Sequence, residues 1–449
     1  MFTTEEAAQI TGGTLFGDNV TVSAVSTDTR TIKPGDLFIA IRGESFDGNE
    51  FIAAAAEKGA SAAISDRAAG SVKADIPVIY VKDTRAAQLA LARAYRDRFG
   101  TWVCGVTGSV GKTSTKDMIY AVLSSARKTL KTEGNLNNDI GLPKTLFGLD
   151  ESYGAAVIEM GMSDLGEISV LSAAAHPDCA VITNIGWCHI ENLKTRENIL
   201  KAKLEICDGL KPSAPLIVCG DDEYLSTVSE KALGRRVVRF GLSEGCDVRA
   251  ADIEADADGS SFTLLADEKR YAARVPIAGE HHVINALAAF CVGREMGLSA
   301  EEIVPAFLSY EASGMRQRTE QRGGITVILD CYNASPSSMK SSLSVLGAMK
   351  PKGRRVAVLG DMLELGEVSR QLHTMVAEYI MANADCCFLY GKEMAACAEE
   401  LKKHGFPAVH SEDKQELSQR LLGEIRSGDA VLFKGSRGMR MEEIAEKIK

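Results

Sequence analysis

Short apolar runs rich in Val, Ile and Ala alternate with longer stretches whose apolar residues recur at i, i+3, i+4 and i+7. Continuous apolar runs suit strands covered on both faces, and the second spacing suits amphipathic helices. Their alternation predicts a parallel α/β architecture. In a first block Asp36–Ile41 and Pro77–Val81 read as strands and Thr84–Phe99 as a helix, with a break at Phe99-Gly100. A second block opens with the strand Trp102–Val106 and a helix from Lys112, and carries further strands at Ala156–Glu159, Ala180–Thr183 and Leu216–Cys219. Its polar, less periodic stretch 243–276 suits antiparallel strands, and helices near 281–297 and 300–309 close it. After a second break near Ala312-Ser-Gly314, the strands Thr326–Asp330, Arg355–Leu359, Cys387–Tyr390 and Ala430–Phe433 alternate with helices, as in a small doubly wound domain. Three domains are expected, at 1–99, 100–313 and 314–449.

Composition narrows the class. A chain of 449 residues is too long for one core. A net charge of −10 argues against nucleic acid or an anionic membrane as partner. The eleven cysteines are scattered with no CxxC pair, as in a reduced cytosolic protein. The acidic start Met1-Phe-Thr-Thr-Glu-Glu lacks a signal pattern, and no apolar run approaches the ~18 residues that span a bilayer. A cytoplasmic location with no stable membrane insertion is expected.

The chemistry concentrates where strand Trp102–Val106 meets the next helix. Between them lies Thr107-Gly108-Ser109-Val110-Gly111-Lys112-Thr113. Strand, glycine loop and helix start form the context that makes a phosphate-binding loop credible, since glycines let backbone N–H groups crowd around phosphate oxygens. Lys112 would reach the β/γ-phosphates and Thr113 would offer a hydroxyl to Mg²⁺. The longer GxxxxGK[ST] pattern wants Gly at 106, where this chain has Val. The plain alternative is a glycine turn before a solvated lysine.

Glu159 ends an apolar strand, a position that faces the nucleotide crevice of a parallel sheet and suits a Mg²⁺ ligand; a solvated strand-end acid is the alternative. His189 follows the strand end Thr183-Asn-Ile-Gly186 and could ligate a metal or simply pack. In the helix-like stretch Glu197–Leu210, Lys203 shares the stripe of Ile199, Leu200, Ile206 and Leu210, whereas Lys201 and Glu205 form an i, i+4 pair on the other face. A lysine on a buried stripe must snorkel, pair, or lose its charge; snorkelling is the simplest reading, and carbamylation by CO₂ would convert it into an anionic metal ligand.

Taken with Gly134-Asn-Leu-Asn-Asn-Asp-Ile-Gly-Leu-Pro143, Asp330-Cys-Tyr-Asn-Ala-Ser-Pro336, Gly360-Asp-Met-Leu-Glu-Leu-Gly366 and Lys434-Gly-Ser-Arg437, these features resemble the Mur ligase family over essentially the whole chain. The last-domain cues resemble the branch that adds D-alanyl-D-alanine; the Asp-Asn-Pro-Arg stretch of a sister branch is absent. The resemblance implies a three-domain architecture: a UDP-substrate domain, a central P-loop-type ATPase domain and a C-terminal Rossmann-like domain. It implies a monomeric bacterial enzyme of peptidoglycan synthesis that joins D-Ala-D-Ala to UDP-MurNAc-tripeptide through an acyl phosphate, using ATP and two Mg²⁺. By the same resemblance Thr107–Thr113 cradle the phosphates, and Thr113, Glu159, His189 and a carbamylated Lys203 form the metal set. Asn285 contacts adenine, Arg316 phosphate and Asp330 ribose. Thr27, Thr29, Arg30, Glu44, Ser45 and Phe46 belong to the uridine-diphosphate loops, and Asn135, Asn137 and Asn138 face the acceptor peptide. Three positions depart from the family's pattern: His282 and Asn49 stand where Asn and His are common, and Met315 interrupts a Gly-Arg pair. His373 is a candidate base for the amine, with a solvated helix residue as the alternative. The competing functions are a folylpolyglutamate synthase-like ligase and a P-loop ATPase acting as a switch or assembly module.

Overall fold

The strand Trp102–Thr107 is apolar almost throughout because it lies inside a nine-stranded sheet, third from one edge. Cys179–Ile182 pairs with it on one side and Ala155–Glu159 on the other, both in parallel. In the computed structural model, which describes the chain except Glu44, Ala257, Met315, Arg316 and Lys449, the sheet continues outward in both directions. Thr129–Lys131 closes one edge; Leu216–Cys219, Val237–Gly241 and Val248–Asp256 extend the other. Successive connections thus leave Trp102–Thr107 first to one side and then to the other. That reversal opens a crevice at the carboxyl ends of the strands. The stretch expected to be antiparallel is so: Val248–Asp256, Gly259–Ala266 and Lys269–Val275 form a meander.

The first block carries a five-stranded sheet in the order Thr14–Phe16, Val78–Tyr80, Ala62–Ser65, Asp36–Ile39, Ala24–Ser26, parallel except at its first pair. The last block carries a six-stranded sheet, Arg318–Arg322, Ile325–Asp330, Ala430–Lys434, Arg355–Gly360, Cys386–Tyr390, Ala408–Ser411, again parallel after its first pair. One apolar cluster runs from the central sheet into the faces of the helices Pro336–Ala348 and Ser369–Asn383. The central and last blocks therefore meet through packed side chains as well as the chain connection.

The helix Glu197–Leu210 read from the sequence is shorter and breaks its own pattern. An α-helix spans Arg196–Leu204 and a 3-10 turn spans Glu205–Cys207. That turn redirects Glu205 from the expected pair with Lys201. Its carboxylate instead accepts from the N–H groups of Gly166 (2.7 Å) and Ser169 (3.3 Å), at the start of the helix Glu167–Ala175. Helix starts leave such donors unpaired, and a carboxylate there is doubly favoured.

Candidate active site

Val106, where the longer phosphate-loop pattern has glycine, is a fully buried strand residue opposite both Glu159 and Val181. The turn begins only at Gly108, whose φ of +146° and proximity to Thr183 exclude a side chain: a Cβ there would lie 1.9 Å from Thr183 Oγ1. Gly111, at φ +82°, precedes the helix Lys112–Ser124. The loop between is pinned by the next strand's end. Val110 N–H donates to Asn184 Oδ1 (2.9 Å), Thr183 Oγ1 donates to Val110 O (2.6 Å), and Gly186 N–H donates to Ser109 Oγ (2.9 Å). Thr107 Oγ1 ties the strand to Met160 O (2.8 Å). Lys112 Nζ folds back on the loop, donating to Gly108 O at 2.8 Å.

Glu159 stands at the centre of a buried polar set. Thr113 Oγ1 donates to its Oε2 (2.9 Å) and Asn137 Nδ2 to its Oε1 (2.8 Å). Its own N–H donates to Thr132 Oγ1 (2.9 Å). Behind it Lys116, 1% exposed, donates to Thr132 O (2.7 Å) and lies 3.5 Å from Asp117 and 3.9 Å from Glu159. Lys116 was legible by the spacing that drew attention to Lys203, since it shares a stripe with Ile119 and Leu123. Lys203 itself is 1% exposed, so it does not snorkel. Burial, with Lys112's charge adding to it, pushes its amine well below the usual lysine range.

The far wall comes from the last block. Asp330 ends its strand and accepts from Lys434 Nζ (2.6 Å) and Ser342 Oγ (2.5 Å). Lys434 is buried and sits in the Lys434-Gly-Ser-Arg437 motif, whose lysine sequence reasoning left without a role. Asn285 accepts from Thr115 Oγ1 (2.8 Å), locking the helix Glu280–Glu295 to the phosphate-loop helix. His281 and His282 both direct Nε2 to Gln317 Oε1, at 3.0 and 2.7 Å. A carbonyl oxygen only accepts, so both rings carry their proton on Nε2.

These walls enclose a cavity of about 930 Å³ lined by Lys112, Glu159, His189, Asn285 and Asp330 together with Asn135, Asn137 and Asn138. His189 Nδ1 lies 2.8 Å from the Glu364 carboxylate. Asn138 is also committed locally, accepting from Gly141 N–H (2.9 Å).

Other expected positions lie elsewhere. Thr27, Thr29, Arg30, Ser45 and Phe46 sit in the first block and do not line this cavity. Arg30 is exposed and paired with Asp28 at 2.7 Å, and Phe46 is 55% exposed. Asn49 is buried and braces that loop, accepting from Ser65 Oγ (2.6 Å) and donating to Asp47 and Asp66. Glu44 and Arg316 lie outside the described residues. His373 is neither a solvated residue nor a base: it is fully buried, with Nε2 accepting from Met362 N–H (3.0 Å) and Nδ1 donating to Ser369 O (2.8 Å).

Comparison with known proteins matches the three blocks in order. Residues 21–96 match the model of the Mur ligase family, catalytic domain; residues 106–293 the Mur ligase middle domain; and residues 315–437 the Mur ligase, glutamate ligase domain. The chain is 39% identical over 453 residues to the UDP-N-acetylmuramoyl-tripeptide–D-alanyl-D-alanine ligase of Bacillus subtilis, covering 99% of this chain and 98% of that one. The structure of MurF from Acinetobacter baumannii superposes with a TM-score of 0.92 at 32% identity, covering 100% of this chain and 98% of that one. MurF from Thermotoga maritima in complex with ADP superposes at 0.84 with 29% identity, covering 95% and 97%. The chain belongs to the Mur ligase family.

Proposed function

We propose that this chain is an ATP-dependent ligase that joins D-alanyl-D-alanine to the terminal carboxylate of UDP-MurNAc-tripeptide, releasing ADP and phosphate, in bacterial peptidoglycan precursor synthesis. The observation that carries the reading is the shared cavity in which the phosphate loop, Glu159 and the Asp330–Lys434 pair face one another across two domains. The Bacillus subtilis relative bears the name of that activity, and the Thermotoga maritima neighbour holds ADP.

The reaction requires an anionic carboxylate to attack an anionic γ-phosphate. Repulsion between them must be offset by positive charge at close range, and Lys112 with the loop N–H groups supplies it. The resulting acyl phosphate is then opened by the free amine of the dipeptide, which expels phosphate. Water would hydrolyse that intermediate, so the last domain, carrying Asp330 and Lys434, closes over the nucleotide and excludes it. The first-block loops around Arg30 and Phe46 would anchor the acceptor's nucleotide while its peptide end reaches Asn135 and Asn138.

Mg²⁺ fits the donors present. Thr113 and Glu159 are buried oxygen ligands that already converge, and Mg²⁺ prefers oxygen. Among the described residues no three His, Cys, Asp or Glu side chains gather as a metal cluster, so phosphate and water oxygens would complete the sites that Thr113, Glu159 and His189 begin. When bound, Mg²⁺ supplies charge neutralisation at the phosphates. Carbamylation fits Lys203, because only an unprotonated amine adds to CO₂ and burial, with Lys112's charge, shifts this one toward the neutral form. The carbamate's negative charge would then sit near Lys112.

The domain limits 1–99, 100–313 and 314–449, a monomeric state and a cytoplasmic location belong to the same proposal. Eleven free thiols support a reducing compartment, and among the described residues no helix is long and apolar enough to cross a membrane. Phosphate release measured with ATP, UDP-MurNAc-tripeptide and D-Ala-D-Ala, each omitted in turn, tests the function. Release should require all three. Release that ignores the dipeptide would favour an ATPase switch instead.

A further inference from the structure

The motif Gly360-Asp-Met-Leu-Glu-Leu-Gly366 has no part in the chemistry above, yet it is rigidly held. Met362 N–H donates to the buried His373, Leu363 N–H donates to Ser436 Oγ (2.9 Å), and Ser436 N–H donates to Asp361 O (3.1 Å). Buried groups of the last domain thus fix the loop from behind. Its tip, Glu364, adopts φ +63° and points out of that domain. The Glu364 carboxylate meets His189 Nδ1 at 2.8 Å, and Glu364 O accepts from Glu191 N–H at 3.4 Å. Gly366, at φ +52°, lies flat on Glu191: a Cβ there would be 3.3 Å from Glu191 Cγ. These contacts bridge the central and last domains at a residue lining the cavity.

A carboxylate that accepts from Nδ1 places the ring proton there and leaves the Nε2 lone pair free. Metal-ligating histidines are oriented in this way by carboxylates behind them. We propose that Glu364 is a positioning residue that reaches across the domain boundary to hold His189 in its Nδ1–H tautomer, so that docking of the last domain completes the cation site. The proposal rests on the reading of His189 as a metal ligand. It also accounts for the rigidity of the motif, because a firmly held loop brings the carboxylate to the ring only when the last domain is in place.

The tautomer is readable without metal, in protein whose last domain is docked by an ATP analogue together with the acceptor. In protein labelled with ¹⁵N-histidine, the His189 resonances, assigned by H189A, should show Nδ1–H. E364A should move the ring toward Nε2–H, and E364Q, whose amide oxygen still accepts, should preserve Nδ1–H. An Nε2–H ring in the unaltered protein, or one indifferent to E364A, overturns the proposal. Mn²⁺ binding with ADP, followed by electron paramagnetic resonance, should weaken roughly 10–100-fold in E364A and less in E364Q. If H189A weakens Mn²⁺ binding and E364A does not, the coupling fails alone. If H189A has no effect, the metal reading falls and the proposal with it. The Glu364 side chain is 63% exposed, so these variants keep the fold.

Discussion

Two buried lysines carry opposite loads. Lys116 neutralises Glu159 and Asp117 from behind; Asp117 keeps Lys131 at 2.9 Å, so removing Lys116 leaves Glu159 as the buried carboxylate without a cation. Breaking a buried pair by removing one partner typically costs about 3–5 kcal/mol, so K116M should lower stability by that order in urea unfolding; a loss under ~1 kcal/mol would show that Lys116 does not hold the set together. Lys203 has no ion pair among the described residues. K203A should leave folding intact but cut ligation about 100-fold or more, with partial rescue by small carboxylates such as formate. Full activity in that variant removes Lys203 from the site. The sequence made Lys203 legible because its own helix betrays it. Lys434 and Glu364 were not, because their partners Asp330 and His189 lie more than a hundred residues away in sequence and no local period can reveal them.

At the scale of elements, strands buried on both faces were easy to read, since Ala155–Glu159 and Ala430–Lys434 are continuous apolar runs. Short strands such as Ala62–Ser65 and Val237–Gly241 were missed: two alanines and a serine, or an interior arginine, dilute the apolar signal until neighbours supply the pairing. The break of the Lys203 helix at Glu205 was likewise invisible, because it answers to a distant helix start. Where the helix Glu280–Glu295 meets Gln317, just before the strand Arg318–Arg322, stability should depend on pH. Burial pushes His281 down and His282 well down from the ordinary histidine value; Gln317 and Asp330 oppose this for both, and Lys434 adds to it at His281. Between the lowered folded values and about 6.5, the unfolded chain holds protons that the fold refuses. The stabilising contribution is therefore complete above about pH 6.5 and lost as pH falls, at about 1.4 kcal/mol per pH unit for each ring. Urea midpoints from about pH 7.5 to about pH 5 should fall less steeply in H282N; equal slopes would mean that His282 takes up its proton without strain.

At the scale of the whole molecule, no single domain contains the site. The central sheet offers the phosphate loop and Glu159, the last sheet offers Asp330 and Lys434, and the first domain's loops stay outside the cavity. In the proposed reaction a long acceptor would be anchored at one end and activated at the other, and closure would keep water from the acyl phosphate. Small-angle scattering should therefore show a smaller radius of gyration on adding an ATP analogue together with the acceptor; an unchanged curve counts against closure. The central claim is that the acceptor's own carboxylate takes the γ-phosphate at Lys112. Its most direct test uses UDP-MurNAc-tripeptide labelled with ¹⁸O in the terminal carboxylate, with mass analysis of the phosphate released during ligation. An acyl phosphate requires one ¹⁸O in each phosphate formed, and unlabelled phosphate produced alongside ligated peptide would contradict the account.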